Sequence, residues 1–399
     1  MVDTRAGTTS KVAIPEDTKV TSILWPSSRS SGPVPASRLI LQAGDGAERQ
    51  LYRLSLTPDG AEVREFSQPS PRARLAEFNP ERSVAVFQGT ERNGTFLWIG
   101  DGGVKEYEPV LTLNTSLAEI ADAPRMLIDY RGVDGDSLKG VVLLPVGYEA
   151  GKRYPLVTWV YASSLFNDTL SASFEKGSTS SLNPQLFTAH GYAVLFPSMP
   201  LKPDGVASDP YIDLPKGVIS AVDKVIDLGI ADPKRLAVAG HSYGGYSTYT
   251  LVSYTNRFQA AIAMDGDANL LTSYAKFDAD QRYWDNAQER REGATWSETS
   301  QGRMGEPPWS NLWGYLRNSP FFYLDRIQTP LMIIQSDMDF VPIIHAEEMF
   351  SGLYRLGKTA RFVRYWGEGH SPASPANIRD MWNRIYQWLD EYLAPEEGK

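Results

Sequence analysis

The stretch RLAVAGHSYGGYSTYT, residues 235–250, runs from an apolar strand into a glycine-flanked turn and then into a helical pattern, with Ser242 at the bottom of the turn. Gly240-His241-Ser242-Tyr243-Gly244 fits G-x-S-x-G, and the strand-turn-helix context is the one that pattern requires. The glycines let the backbone make a strained turn without Cβ clashes. Such a turn lifts the hydroxyl above the sheet and leaves the next backbone N–H aimed at the same space. Ser242 is therefore read as a nucleophile rather than as a small residue in a tight connection.

The residues around this turn point to its fold. From 125 onward, RMLIDYRGVDGDSLKGVVLLP reads as two strands around the turn Asp134-Gly135. Apolar runs then alternate with helical patterns: LVTWVYA (156–162), YAVLFPS (192–198), RLAVAG (235–240), AAIAMD (260–265), LMIIQS (331–336) and ARFVRYW (360–366). Strands apolar on both faces and separated by helices predict an α/β fold, a doubly wound and mostly parallel sheet. Ligands of such sheets bind beyond the carboxyl ends of the strands.

A serine hydroxyl needs a base, normally a histidine oriented by a carboxylate. The chain has four histidines. His190 ends a helix before a strand, His241 sits inside the turn with its side chain expected to point away from Ser242, and His345 falls in a helix. His370 remains, in WGEGHSPASP just after ARFVRYW, and is taken as the base. The acid should come from DMDFVP, the loop after LMIIQS. Asp339, shortly before the V-P that starts the next helix, is favoured over Asp337, which would make a turn or cap the loop. The order Ser242, Asp339, His370 is that of the α/β-hydrolase fold. Two donors should meet the oxyanion, the Tyr243 amide and the Tyr161 hydroxyl at the end of LVTWVYA. Tyr161 could alternatively pack beneath its loop.

Upstream, residues 38–66 and 83–108 read as two copies of one unit offset by about 45 residues. RLILQ aligns with VAVFQ, LYRLSL with FLWIGD, and Asp59-Gly60 with Gly102-Gly103. Short alternating strands joined by such turns are the pattern of propeller blades, or of two hairpins that happen to agree. Two domains are expected, a β-rich partial propeller-like region at 1–124 and the α/β domain at 125–399. Two blades cannot close a ring, so their edges must be covered by the other domain, by a partner or by sequence absent here, self-association into a homo-oligomer being one such route.

The remaining bulk properties mainly exclude. The formal charge of −9 comes from scattered acids and bases, with no basic stripe for nucleic acid. With no cysteine, thiolate chemistry and disulfides are out. Residues 1–20 have no apolar core of signal-peptide length and no run is long enough for a membrane span, so the chain reads as soluble, cytoplasmic as written and equally compatible with a removed signal. Asp265, Asp267 and Asn269 echo the start of a calcium loop, but Leu270 and Lys276 stand where that loop needs Gly and Glu, so no metal site is expected.

Residues 125–395 resemble the catalytic domain of the prolyl oligopeptidase family of serine peptidases. The resemblance is carried by GYEAGKRYPLVTWVY, GIADPKRLAVAGHSYGGY, NSPFFYLDRIQTPLMIIQSDMDFVP and FVRYWGEGHS, in that order. It implies a preceding β-propeller, Ser242 as nucleophile, Asp339 as carboxylate, His370 as base, and Tyr161 with the Tyr243 amide as oxyanion hole. Three departures stand out. Only two or three blades fit in 124 residues, ASS follows Tyr161, and the acid loop is one residue short before V-P. No paired glutamates that would anchor a free amine are evident in the N-terminal part.

The expected activity is peptide-bond cleavage through an acyl-enzyme, with no cofactor. A carboxylesterase acting on small esters is the nearest alternative, and a non-catalytic binding or assembly subunit a more distant one. The long segment 265–318 should cap the site, with Tyr274, Tyr283, Trp284, Trp309 and Trp313 either lining a substrate pocket or forming a satellite core.

Overall fold

The structure, a computed structural model, describes residues 2–3, 8–9, 19–24, 39–44, 49–57, 60–79, 82–101, 107–167, 181–276 and 292–394. The described residues fall into two compact units, one ending at Asp122 and one beginning at Ala123.

In the first unit, β1 (Val2–Asp3) and β2 (Thr8–Thr9) form a short antiparallel pair. Two antiparallel meanders follow. One comprises β3 (Val20–Leu24), β4 (Leu39–Ala43), β5 (Gln50–Thr57) and β6 (Gly60–Phe66). The other comprises β7 (Arg74–Asn79), β8 (Val84–Glu91), β9 (Gly94–Asp101) and β10 (Glu108–Leu113). The repeated segments coincide with β4 to β6 and with β8 to the start of β10. Each copy has a further strand before it, β3 or β7, which completes four strands. Alternation decides which face is covered: Ile40, Leu51, Phe66, Phe78, Phe87 and Trp98 share one apolar cluster. Phe66 meets Phe78 edge to face at 5.1 Å between centroids.

The second unit is built on eight strands in the order β11-β12-β14-β13-β15-β16-β17-β18. The hairpin of β11 (Arg125–Arg131) and β12 (Ser137–Leu143) turns at Gly135, where φ is 87°, and β12 runs antiparallel to β14. The other strands are mutually parallel: β13 (Tyr154–Trp159), β14 (Ala193–Pro197), β15 (Ala231–His241), β16 (Ala260–Met264), β17 (Leu331–Ser336) and β18 (Ala360–Tyr365). β14, β16 and β17 are buried along their whole length, which is why their sequences are continuous apolar runs instead of alternating ones.

Helices cover the sheet: α1 (Gln185–Ala189), α2 (Pro210–Asp227), α3 (Tyr243–Tyr254), α4 (Leu270–Ala275), α5 (Glu292–Thr299), α6 (Leu312–Arg317), α7 (Ile344–Arg355) and α8 (Pro375–Leu393). α8 shows why the long ones form. Proline opens it, and Met381, Trp382, Ile385, Trp388, Leu389 and Leu393 repeat at helical spacing and are buried. α3 differs, since nearly every residue from Tyr243 to Ser253 is buried and no polar face is left. This central helix is held inside the core, and Ser242 stands immediately before its first turn. No helix among the described residues is long and apolar enough to cross a membrane.

Candidate active site

Ser242 occupies φ 62° and ψ −123°, between β15 and α3. A non-glycine residue at positive φ is strained, and the surroundings enforce it. Ser242 N–H donates to the Met264 carbonyl at 2.9 Å, while its own carbonyl accepts from Gly245 and Tyr246 at 2.8 and 3.1 Å. A Cβ on Gly240, Gly244 or Gly245 would come closer than 3.0 Å to backbone atoms, those of Val160 and of Met264 among them. The three glycines let the turn wedge between the ends of β13 and β16. Tyr243 then begins α3, where the first amides of a helix have no intrahelical acceptor and face the open end of the sheet.

Tyr161 lies two residues beyond β13 and is 39% exposed. Its ring stands edge to face with that of Tyr243 at 6.3 Å. Its hydroxyl accepts a hydrogen bond from Gln301 Nε2 at 3.4 Å, so it reaches into polar surroundings and is not packed beneath the loop.

His370 and Asp339 meet. His370 Nδ1 lies 2.8 Å from Asp339 Oδ1. Asp339 is fully enclosed, accepting also from Val341 N–H at 2.9 Å and from Gln335 Nε2 at 3.1 Å. This leaves Nε2 of His370 as the nitrogen able to take a proton from a nucleophile. Asp337 does different work: its Oδ1 accepts Gly367 N–H at 2.6 Å, and its own amide donates to Tyr365. It fastens the loop after β17 to the loop that carries His370. Glu368 stiffens the same loop by accepting from Ala373 N–H at 2.7 Å, Ser374 N–H and Asn377 Nδ2, and the Ala373 bond leads in holding its carboxyl below the usual range.

The other histidines separate. His190 pairs with Asp390 at 3.0 Å and stacks on Tyr386. His345 is buried in α7, its Nε2 3.2 Å from Asp267. His241 lies against His370. Its ring lies 4.5 Å from that of His370, and its Nε2 donates to the His370 carbonyl. The sharp turn at Ser242 sends the preceding side chain toward the loop that carries His370. Burial, and then the proximity of His370, push the His241 pKa down to about 4, so it is a neutral buttress.

Of the aromatic residues nominated for a pocket, Tyr274 is tied into the excursion, donating to Glu298 at 2.9 Å and packing edge to face on Trp309 and Tyr315. Trp309 and Trp313 are 79% and 78% exposed, and Tyr283 and Trp284 lie outside the described residues. A cavity of about 40 Å³ opens instead among Asp267, Ser273, Lys276, Trp296, Phe340 and Val341. Phe340 also packs on the His370 ring at 4.2 Å. Asn269 caps α4 by accepting from Leu271 N–H, and Asp267 accepts from Ser273, so the calcium-like spacing serves internal bonds.

Sequence reasoning missed Arg303. It is 2% exposed, yet its guanidinium donates to Lys202 O at 2.7 Å, Gln301 O at 2.8 Å, Ser163 Oγ at 2.7 Å and Asp204. Gln301, held in turn by Trp296 Nε1 at 3.2 Å, reaches Tyr161. No spacing in the sequence announces this; one arginine inside a charged excursion carries no periodic signal.

With this geometry in view, comparison is informative. Residues 214–396 match the model of the prolyl oligopeptidase family. The matched residues all lie in the second unit, which is thus similar to the catalytic domain of that family. Over 283 residues the chain is 28% identical to the "uncharacterized peptidase YuxL" of Bacillus subtilis, covering 67% of this chain and 39% of that protein. Over 294 residues it is 26% identical to a probable chloroplastic glutamyl endopeptidase of Arabidopsis thaliana, covering 69% of this chain and 28% of that one. It thus spans well under half the length of these relatives. The uncomplexed acylaminoacyl peptidase of Pyrococcus horikoshii superposes with a TM-score of 0.65 at 19% identity, covering 96% of this chain and 58% of that one, which shows a shared fold.

Proposed function

We propose that the chain is a serine hydrolase that cleaves peptide bonds through an acyl-enzyme on Ser242. The observation that carries this is the enclosed Asp339 side chain 2.8 Å from Nδ1 of His370, whose backbone carbonyl accepts from His241, the residue before the strained turn at Ser242. Ser242 Oγ attacks the scissile carbonyl while His370 Nε2 takes its proton. Asp339 holds the imidazole in the Nδ1–H tautomer and stabilises the imidazolium that forms. The Tyr243 amide and Tyr161 hydroxyl stabilise the oxyanion. His370 returns the proton to the leaving amine, and water repeats the sequence to free the acid. The peptidase names of the relatives support an amide over an ester substrate.

The test is parallel turnover of a peptide anilide panel and p-nitrophenyl esters. Anilide turnover lost in His370→Ala is expected. Ester turnover with no anilide turnover would make the chain an esterase, because the same triad cleaves both.

A further inference from the structure

Gln301 and Arg303 lie in the loop after α5, and what they hold is the pair of residues assigned to the oxyanion. Gln301 Nε2 donates to the Tyr161 hydroxyl at 3.4 Å, while Gln301 Oε1 accepts from Trp296 Nε1 at 3.2 Å. The main-chain carbonyl of the same residue accepts from the Tyr243 hydroxyl at 2.7 Å and from Arg303 Nη1 at 2.8 Å. One residue thus touches both Tyr161 and the side chain of Tyr243, whose amide is the second oxyanion donor.

The direction of the bond to Tyr161 follows from its neighbour. An indole N–H can only donate, so the carboxamide atom that faces Trp296 is the oxygen and the one that faces Tyr161 is the NH2 group. Trp296 is itself seated, its ring edge to face with Tyr243 at 6.1 Å. An amide NH2 donates and does not accept, so the Tyr161 oxygen is the acceptor in this bond and keeps its own proton. Among the described residues that proton has no acceptor, which leaves it for an oxygen that gains negative charge. A phenol that accepts one bond is also the better donor in the next, because hydrogen bonds in a chain polarise one another.

Arg303 fixes the two loops against each other. Its Nη2 donates to Ser163 Oγ at 2.7 Å and to Asp204, and its Nε to the Lys202 carbonyl at 2.7 Å. Ser163 and Arg303 are both non-glycine residues in the left-handed region, at φ 67° and 57°, conformations that persist only where the surroundings impose them. Ser163 stands two residues past Tyr161, whose carbonyl accepts from Ser164 N–H at 3.2 Å.

We propose that Gln301 is a positioning residue of the oxyanion hole: its carboxamide, oriented by Trp296 and held in place through Arg303, donates to the Tyr161 oxygen and turns the phenolic O–H toward the oxyanion. The inference rests on the reading of Tyr161 as an oxyanion donor. It assigns Gln301 no contact with substrate.

The test is a double-mutant cycle in the full chain, comparing wild type, Gln301→Ala, Tyr161→Phe and the double variant, with Gln301→Glu added to reverse the bond. Steady-state kcat and KM are measured with the anilide or ester that wild type turns over, and thermal unfolding confirms that each variant is folded. Gln301→Ala should lower kcat about tenfold with KM little changed. In the Tyr161→Phe background the same substitution should cost less than about twofold, since the group it acts through is gone. A residue that only supports the loop would cost the same in both backgrounds. Gln301→Glu keeps the shape and an acceptor for Trp296, but its carboxylate accepts the Tyr161 O–H and should lower kcat by about 10²-fold, as much as Tyr161→Phe. Equal losses in the two backgrounds, Gln301→Ala at the wild-type rate, or Gln301→Glu no slower than Gln301→Ala would overturn this inference alone. A wild type with neither turnover nor fluorophosphonate labelling would overturn the hydrolase reading, and this inference with it.

Discussion

Asp337 and Asp339 stand two residues apart in one loop, yet only Asp339 faces His370, while Asp337 closes on Gly367. Asp339→Asn should therefore cut kcat by about 10⁴-fold by stabilising the wrong histidine tautomer, with KM little changed. Asp337→Asn keeps an acceptor for Gly367 and should cost less than about tenfold, a loosening of the loop read as a lower Tm. The reverse order in steady-state kinetics would move the acid to Asp337. Tyr161→Phe removes one oxyanion donor without disturbing the edge-to-face ring contact, and a loss of about 10²-fold in kcat is expected. A change confined to KM would mean that Tyr161 binds substrate instead.

At the scale of elements, the turn between β15 and α3 is fixed by backbone packing. Gly244→Ala forces a methyl against the Val160 carbonyl and should destabilise by about 1–3 kcal/mol or prevent folding, seen in thermal unfolding as a lowered or absent transition. Arg303→Met should cost about 1–3 kcal/mol, because the carbonyls of Lys202 and Gln301 lose their donor. A Tm equal to wild type would show that water replaces the guanidinium. These two cases also mark what the sequence could disclose. The glycine turn, the apolar strand runs and the loops after β17 and β18 were legible because strand period, glycine positions and loop order are local signals. Tyr161 was legible from its place at a strand end. Arg303, Gln301 and the approach of His241 to His370 were not, since they depend on how an aperiodic excursion and two distant loops converge. Asp265 was visible as a residue but was weighed against a calcium loop; its bond from the Ser336 N–H arises from the adjacency of β16 and β17, which only the sheet order reveals.

For the molecule as a whole, pH response should follow from groups whose charge burial forbids. The unfolded chain protonates His241 at about 6.5 and the folded chain only at about 4, so falling pH through this window favours unfolding. His241→Gln keeps a donor for the His370 carbonyl and cannot titrate. Its stability relative to wild type should rise on acidification from pH 6.5 to 4, by an amount on the order of 3 kcal/mol, and a constant difference would mean that His241 is charged in the fold. Among the described residues the edge strands of the two blade-like sheets have no further paired neighbour, and light scattering tests whether they pair between copies, with a strict monomer counting against it. The claim on which the rest depends is that Ser242 is an activated nucleophile. Intact-mass and peptide mapping after exposure to a fluorophosphonate decides it. A single adduct on Ser242, absent from Ser242→Ala, is predicted; an unlabelled wild type, or equal labelling of Ser242→Ala, would contradict it.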